Sequence, residues 1–222
     1  LTTSSAASDV YKRQDGVLLW GAQLEQGNYP TSYIPNLGTV NGSTVTRAAE
    51  TLNGSGNTTL INSTEGVLFA EIAALANDGT YREISLNDGT TNNVVEIRYT
   101  DVSDQLQFVV RSTAGGVIVN KTFALGTAGA LQFNKIAFSY KSNDYKMYVN
   151  GVQVDVDTTG AMPSGLTTLS FDWGGNNDFY GKCKQLALFN EALEDDELEL
   201  LTGITNFSSF DATASGGGYT II

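Results

Sequence analysis

The ten residues D-W-G-G-N-N-D-F-Y-G, Asp172 to Gly181, gather the side chains of this chain best suited to hold a sugar. An indole or phenol stacks on the apolar C–H face of a pyranose ring, while amides and carboxylates satisfy its hydroxyls. Trp173, Asn176, Asn177, Asp178 and Tyr180 supply both halves of that chemistry. The same composition has a plainer use, in which Trp173 and Phe179 close one end of a core and Asn-Asn-Asp forms an ordinary turn.

A second loop, S-L-N-D-G-T-T-N-N from Ser85 to Asn93, offers oxygen ligands at Asn87, Asp88, Asn92 and Asn93. Calcium takes hard oxygens of this kind, completed by carbonyls and water, although the spacing matches no closed template such as an EF-hand. Carboxylates in hydrolytic patterns are less convincing. Glu194, Asp196 and Glu199 stand at the spacing E-x-D-x-x-E, but on a predicted helix, where a turn of about 100° per residue sends the first two to opposite sides. Glu71, Glu83 and Glu96 fall on separate predicted strands, where solvation or cross-strand pairing accounts for them. The reading is therefore non-catalytic.

Composition narrows the chemistry further. The 222 residues hold 12 Lys and Arg against 24 Asp and Glu, and the net charge of -12 repels phosphate backbones and anionic membrane surfaces. Nucleic acid and membrane insertion are excluded as partners on that ground and on the lack of a long apolar run. Histidine is absent, which removes Ser-His-Asp, Cys-His and the commonest zinc chemistry. The lone Cys183 forms no internal disulfide and is expected as a small buried hydrophobe.

These loops need a scaffold, and the alternation of apolar and polar residues supplies one. Strands are expected near Gly66–Ala74, Tyr81–Asn87, Val94–Thr100, Gln105–Arg111, Val117–Phe123, Lys135–Tyr140, Lys146–Val149, Val152–Asp155, Thr167–Asp172 and Gly181–Phe189. Asn150-Gly151 marks a tight hairpin. Val95, Ile97 and Tyr99 oppose Glu96 and Arg98, and Leu106, Phe108 and Val110 oppose Gln107 and Arg111, so each strand has one inward face. Cys183 is out of phase with Leu186 and Leu188, which predicts a β-bulge near Lys184 and Gln185. Glu194 to Leu201 is the clear helix, expected to cap the sandwich. The fold class is all-β, an antiparallel two-sheet sandwich with one short C-terminal capping helix.

The order of these pieces resembles the second half of a laminin-G-like, concanavalin A-like jelly roll, where a Y-V-N-G hairpin precedes G-x-I-x-x-L-x-I-Y-N-x-A-L-x-x-x-E-L. Here that closing segment is Gly181 to Leu198, with Cys183, Leu186, Leu188, Asn190, Ala192, Leu193 and Glu197 at matching places. The resemblance runs from about Ala49 to Gly203 and implies a family of lectins, adhesion modules and hydrolases, some of which hold calcium at a loop rim. It also implies that E-x-D-x-x-E catalysis would need those carboxylates on a strand.

The ends of the chain read differently. L-T-T-S-S-A-A-S-D-V-Y-K-R-Q, residues 1–14, resembles translated sequencing-adapter DNA at the end of a metagenomic contig, with a disordered tail as the alternative. W-G-A-Q-L-E-Q-G-N-Y-P-T-S-Y-I-P, from Trp20, resembles the exit segment of a sandwich module in phage structural proteins. Residues 15–64 are expected as that terminal strand plus a linker, 65–203 as the sandwich, and 204–222 as a C-terminal arm. Together the resemblances imply a carbohydrate-binding domain of a phage tail fibre or other virion appendage. It would face host-surface glycans, touch other virion subunits, and form a homo-oligomer, a trimer if it is a fibre. The alternatives are a structural decoration domain without ligand and a glycan-degrading enzyme.

Overall fold

The computed structural model describes residues 55–113 and 116–203. The expectations for residues 1–14, for Trp20 and its neighbours, and for the 204–222 arm concern positions outside the described residues.

Among the described residues, ten antiparallel strands form two five-stranded sheets. They are β1 (Glu65–Ala74), β2 (Arg82–Asn87), β3 (Val94–Tyr99), β4 (Gln105–Ser112), β5 (Gly116–Ala124), β6 (Asn134–Lys141), β7 (Asp144–Val149), β8 (Val152–Asp157), β9 (Thr168–Ser170) and β10 (Gly181–Phe189). One sheet has the order β10-β1-β6-β7-β8 and the other β5-β4-β3-β2-β9. The antiparallel two-sheet sandwich expected from the alternation, and the jelly roll that the resemblance implies, are the fold observed.

The inward rows pack Leu68, Ala70, Ile72, Phe138 and Met147 of the first sheet against Ile84, Leu86, Val95, Ile97, Phe108 and Val110 of the second. Phe108 and Phe138 meet across the interface edge to face, 5.4 Å between centroids. Gly66 is where the chain tolerates no side chain, since a Cβ there would fall 2.5 Å from Tyr140 Oη and 2.6 Å from Phe189 O.

Asn150 and Gly151 form the predicted hairpin turn, with φ of 51° and 83°. The expected bulge is present as well: Gln185 pairs with Glu71 and Cys183 with Ile72, which leaves Lys184 as the extra residue. That register places Cys183 on the core-facing side, yet its side chain is exposed. The correction has a simple cause: β10 is the edge of its sheet among the described residues, and Cys183 lies near the strand's start, at the rim.

The helix α1 (Asp195–Thr202) begins in a capping box between Glu194 and Glu197. It covers the outer face of β1, β6 and β7 rather than an end of the sandwich, with Leu198 and Leu201 packed on Val67, Phe69, Ala137 and Tyr148. The stretch 55–64 also does more than link. Ile61 is buried in the core, Ser63 Oγ accepts from Leu166 N, and Asn62 Nδ2 donates to the Asn190 carbonyl.

Candidate functional site

Because Ile84, Leu86, Val95, Ile97, Phe108 and Val110 point inward, the intervening residues of β2, β3 and β4 share the outer face of their sheet. Register sets them in rows. Glu83 lies opposite Arg98 and Arg98 opposite Gln107; Ser85 lies opposite Glu96 and Glu96 opposite Val109; Asn87 lies opposite Val94 and Val94 opposite Arg111. The result is a charged and amide-bearing strip where an ordinary solvent-facing surface is expected. Glu83 and Glu96 are both 0% exposed. The expectation that they are solvated is therefore corrected, although cross-strand pairing does hold.

Arg98 is the hub of the strip. Its Nη1 stands 3.2 Å from Glu83 Oε1 and 2.9 Å from Glu96 Oε1, the second an ion pair without hydrogen-bond alignment. Its Nε donates to Gln107 Oε1 at 2.6 Å, and Gln107 passes a hydrogen bond to Asn120. Two carboxyls sharing one cation in a dry environment cannot both ionise freely. Burial, then the charge of Glu83, pushes the Glu96 carboxyl up to about 8, against the pull of Arg98 and Arg111. Burial likewise raises Glu83, opposed by Arg98 and the Asn177 amide.

The Asp172–Gly181 loop meets this strip. Trp173 and Asn176 exchange backbone hydrogen bonds of 2.6 and 3.1 Å around Gly174 and Gly175, a two-residue turn with φ of 56° and 91°. The Trp173 ring lies under the Arg111 guanidinium at 5.1 Å. Asn177 Nδ2 donates to Glu83 Oε1 at 3.1 Å. Asp178 and Tyr180 face solvent instead, joined by a Tyr180 Oη to Asp178 Oδ2 hydrogen bond of 3.2 Å. Asn176 is exposed. Of the five predicted sugar-binding residues, Trp173 and the otherwise exposed Asn177 thus reach the charged strip, and Asn176, Asp178 and Tyr180 are exposed away from it.

The second candidate loop abuts the first, since a Cβ on Gly174 would fall 2.8 Å from the Thr90 carbonyl carbon. Asn87 is buried on the strip, donating to Ser85 Oγ and accepting from Gly89 N. Asp88 Oδ1 accepts from Thr90 N and Oγ1, and Oδ2 accepts from Asn93 Nδ2 at 2.7 Å. Asn93 also bonds Thr113, and Asn92 N donates to Thr90 Oγ1. Burial raises the Asp88 carboxyl, but the Thr90 and Asn93 hydrogen bonds outweigh it and hold the group below its ordinary value. Of the oxygens named for calcium, those of Asn87, Asp88 and Asn93 are therefore already engaged, whereas Asn92 is held through its backbone N–H. Among the described residues no three His, Cys, Asp or Glu side chains gather as metal ligands.

Glu194 caps α1, and Asp196 and Glu199 are exposed on that helix. Glu71 pairs with Lys184 at 3.1 Å. None of these reaches the strip. The residues that sequence reasoning did not single out are Glu83, Glu96, Arg98 and Arg111 as a group, because alternation gives each strand's phase but not which residues face one another across strands.

Among the described residues, seven buried side-chain atoms have no hydrogen-bond partner: Glu83 Oε2, both Glu96 oxygens, Arg111 Nε, Asp172 Oδ1, Trp173 Nε1 and Tyr145 Oη. All but the last belong to the strip or to the loop start beside it. Native proteins pair nearly all buried polar groups, so their concentration in one place sets the strip apart from the rest of the described residues.

No helix of the described residues is long and apolar enough to cross a membrane. Comparison with curated proteins gives no match. Among solved structures, the chain is similar to the Ruminococcus gnavus IT-sialidase CBM40 bound to α2,3-sialyllactose, at TM-score 0.54 and 18% identity, over 68% of this chain and 94% of that one. It is similar to a leech intramolecular trans-sialidase at 0.51 and 19%, over 66% of this chain and 24% of that one. A heptameric SAP-like pentraxin of Limulus polyphemus matches at 0.53 and 12%, over 72% and 78%. At such identities the likeness is one of fold. Residues 70–199 match the laminin-G family described as the concanavalin A-like lectin/glucanases superfamily, and the chain belongs to that family.

Proposed function

We propose that this protein is a non-catalytic carbohydrate-binding module whose site is the outer strip of β2, β3 and β4 together with the Asp172–Gly181 loop. The observation that carries this reading is the group of unpartnered buried donors and acceptors around Trp173. Sugar hydroxyls donate and accept at once, so they suit a surface that presents both. Support also comes from the fold neighbour named as a carbohydrate-binding module in complex with sialyllactose. Glu83 and Glu96 are closed from solvent, so binding lifts the Trp173–Asn177 turn and exchanges the Asn177–Glu83 hydrogen bond for ligand contacts. The module's place is the virion of a phage, on a tail fibre or appendage that meets host-surface glycans. That part rests on the exit segment from Trp20.

The test is a glycan array and a host-cell binding assay on the full chain and on Trp173→Ala, with folding checked by circular dichroism. Loss of binding in a folded variant, by about tenfold or more, supports the reading. No binding by either protein would favour a ligand-free structural domain, which the full burial of Glu83 and Glu96 also suits.

A glycan-degrading activity has one specific observation in its favour, the convergence of Glu83 and Glu96 on Arg98. Acid and base roles require environments that push two carboxyls apart, whereas burial raises both here. Release of reducing ends from polysaccharide, lost in Glu83→Gln, would establish the enzyme.

A further inference from the structure

We infer that the corner formed by Arg111, Trp173 and Glu96 takes the carboxylate of an acidic sugar, with Arg111 pairing with the anion and Glu96 donating a hydrogen bond to it. The inference deepens the carbohydrate-binding reading and rests on it.

Charge pairing sets Arg111 apart from the other described arginines, Arg82 and Arg98. Arg82 pairs with Asp78, Arg98 with Glu83 and Glu96, Lys121 with Asp155 and Asp157, Lys141 with Glu65, Lys146 with Asp195, and Lys184 with Glu71. In a chain with twice as many acids as bases, Arg111 has no carboxylate within ion-pair distance among the described residues. It is half-buried, stacked on Trp173, and its Nε is buried without an acceptor. A guanidinium held this way by an indole is a preformed seat for an anion.

The unmet donors point the same way. Arg111 Nε–H and Trp173 Nε1–H both lack acceptors. Burial and the Glu83 charge keep Glu96 protonated at neutral pH, which adds an O–H donor from a side chain that is 0% exposed. A carboxylate brings about four acceptor sites and no donor, whereas a hydroxyl accepts at two and must also donate. The charged groups acting on Glu96 are Glu83 on β2, Arg98 on its own strand and Arg111 on β4; Asn177 of the loop reaches Glu83, and Trp173 reaches Arg111. With Glu96 neutral, the guanidiniums of Arg98 and Arg111 act on this corner from β3 and β4 inside a protein of charge -12. When Glu96 ionises, a like charge faces the ligand.

The experiment titrates the full chain by calorimetry with sialyllactose and a glucuronic-acid-terminated disaccharide, and with their methyl esters and lactose. At pH 6.5 the acids are expected to bind at least about tenfold tighter than the esters. By pH 9, about a unit above the Glu96 value, affinity for the acids falls about tenfold. Glu96→Gln loses the pH dependence, and Arg111→Gln loses the preference for the acids over their esters. Esters bound as tightly as acids overturn this inference alone, and they need no variant that must fold. Absence of binding by every sugar overturns the carbohydrate reading beneath it. A difference between the two acids identifies which acidic sugar the site accepts.

Discussion

Asn177 donates its side-chain amide to Glu83 Oε1 over 3.1 Å, and it does so from the left-handed region at φ 55°. Ninety-four positions separate the two residues, so this hydrogen bond, with that from Ser85 Oγ to the Asp172 carbonyl, ties the Asp172–Gly181 loop to the strip beneath it. Asparagine is among the few residues that enter this region at small cost.

Replacing Asn177 removes a donor from a buried carboxyl and tests that tie. Asn177→Ala combines the loss with a strained backbone and is expected to destabilise by roughly 1–3 kcal/mol. Asn177→Gly also loses the hydrogen bond but relaxes the positive φ, so it should cost less. Urea denaturation of the three proteins gives the order. An alanine variant as stable as the parent would show that the loop is held by other contacts.

The raised Glu96 carboxyl makes stability depend on pH in a defined direction. Its value is about 8 in the folded protein against 4.5 ordinarily, so folding favours the protonated form. The contribution is complete below about 4.5, declines as pH rises from there, and is gone above about 8. Glu83, raised by burial too, adds to the same slope. Denaturation midpoints at pH 5.5 and 8.5 should therefore fall in the parent and fall less in Glu96→Gln, whose amide never ionises. A variant with the full parental slope would place the titration elsewhere.

The fold was legible because period-two alternation survives in Val94–Tyr99 and Gln105–Ser112, and because Asn150-Gly151 admits few turns other than a hairpin. Even the bulge at Lys184 could be read, since Cys183 is one residue out of phase with Leu186. The site was legible only in part. Trp173 and Asn177 stand out by residue type, but Glu83, Glu96, Arg98 and Arg111 meet only through cross-strand register, which a single chain does not display. The helix was found and its seat was not, because amphipathicity shows that Leu198 and Leu201 need an apolar partner without naming Val67 and Phe69.

Cys183 lies at the rim of β10 with an exposed side chain, so its thiol should react with an aromatic disulfide reagent in the native protein. Burial of part of the side chain raises the thiol, with the Gln185 carbonyl contact opposing, so the reaction should be slower than for a free thiol at neutral pH and quicken as pH rises. Cys183→Ser should change stability by no more than about 0.5 kcal/mol. Labelling only after denaturation would return Cys183 to the buried role its sequence context suggests.

Calcium at the Asn87–Asn93 loop must compete with hydrogen bonds already made. Asp88 offers Oδ1 to Thr90 and Oδ2 to Asn93, and their donation holds its carboxyl below the ordinary value, after burial has pulled the other way. A cation would have to displace at least the 2.7 Å Asn93 amide, and neutral asparagines bring little charge to repay that loss. Thermal unfolding in about 5 mM calcium is accordingly expected to match that in chelator to within about 1 °C. Asp88→Ala should still lower the midpoint, by the roughly 1–2 kcal/mol that loop hydrogen bonds to a charged group supply. A saturable rise with calcium in the parent that disappears in Asp88→Ala would instead assign this loop as a metal site, with the Asn93 and Thr90 contacts serving as its empty-state closure.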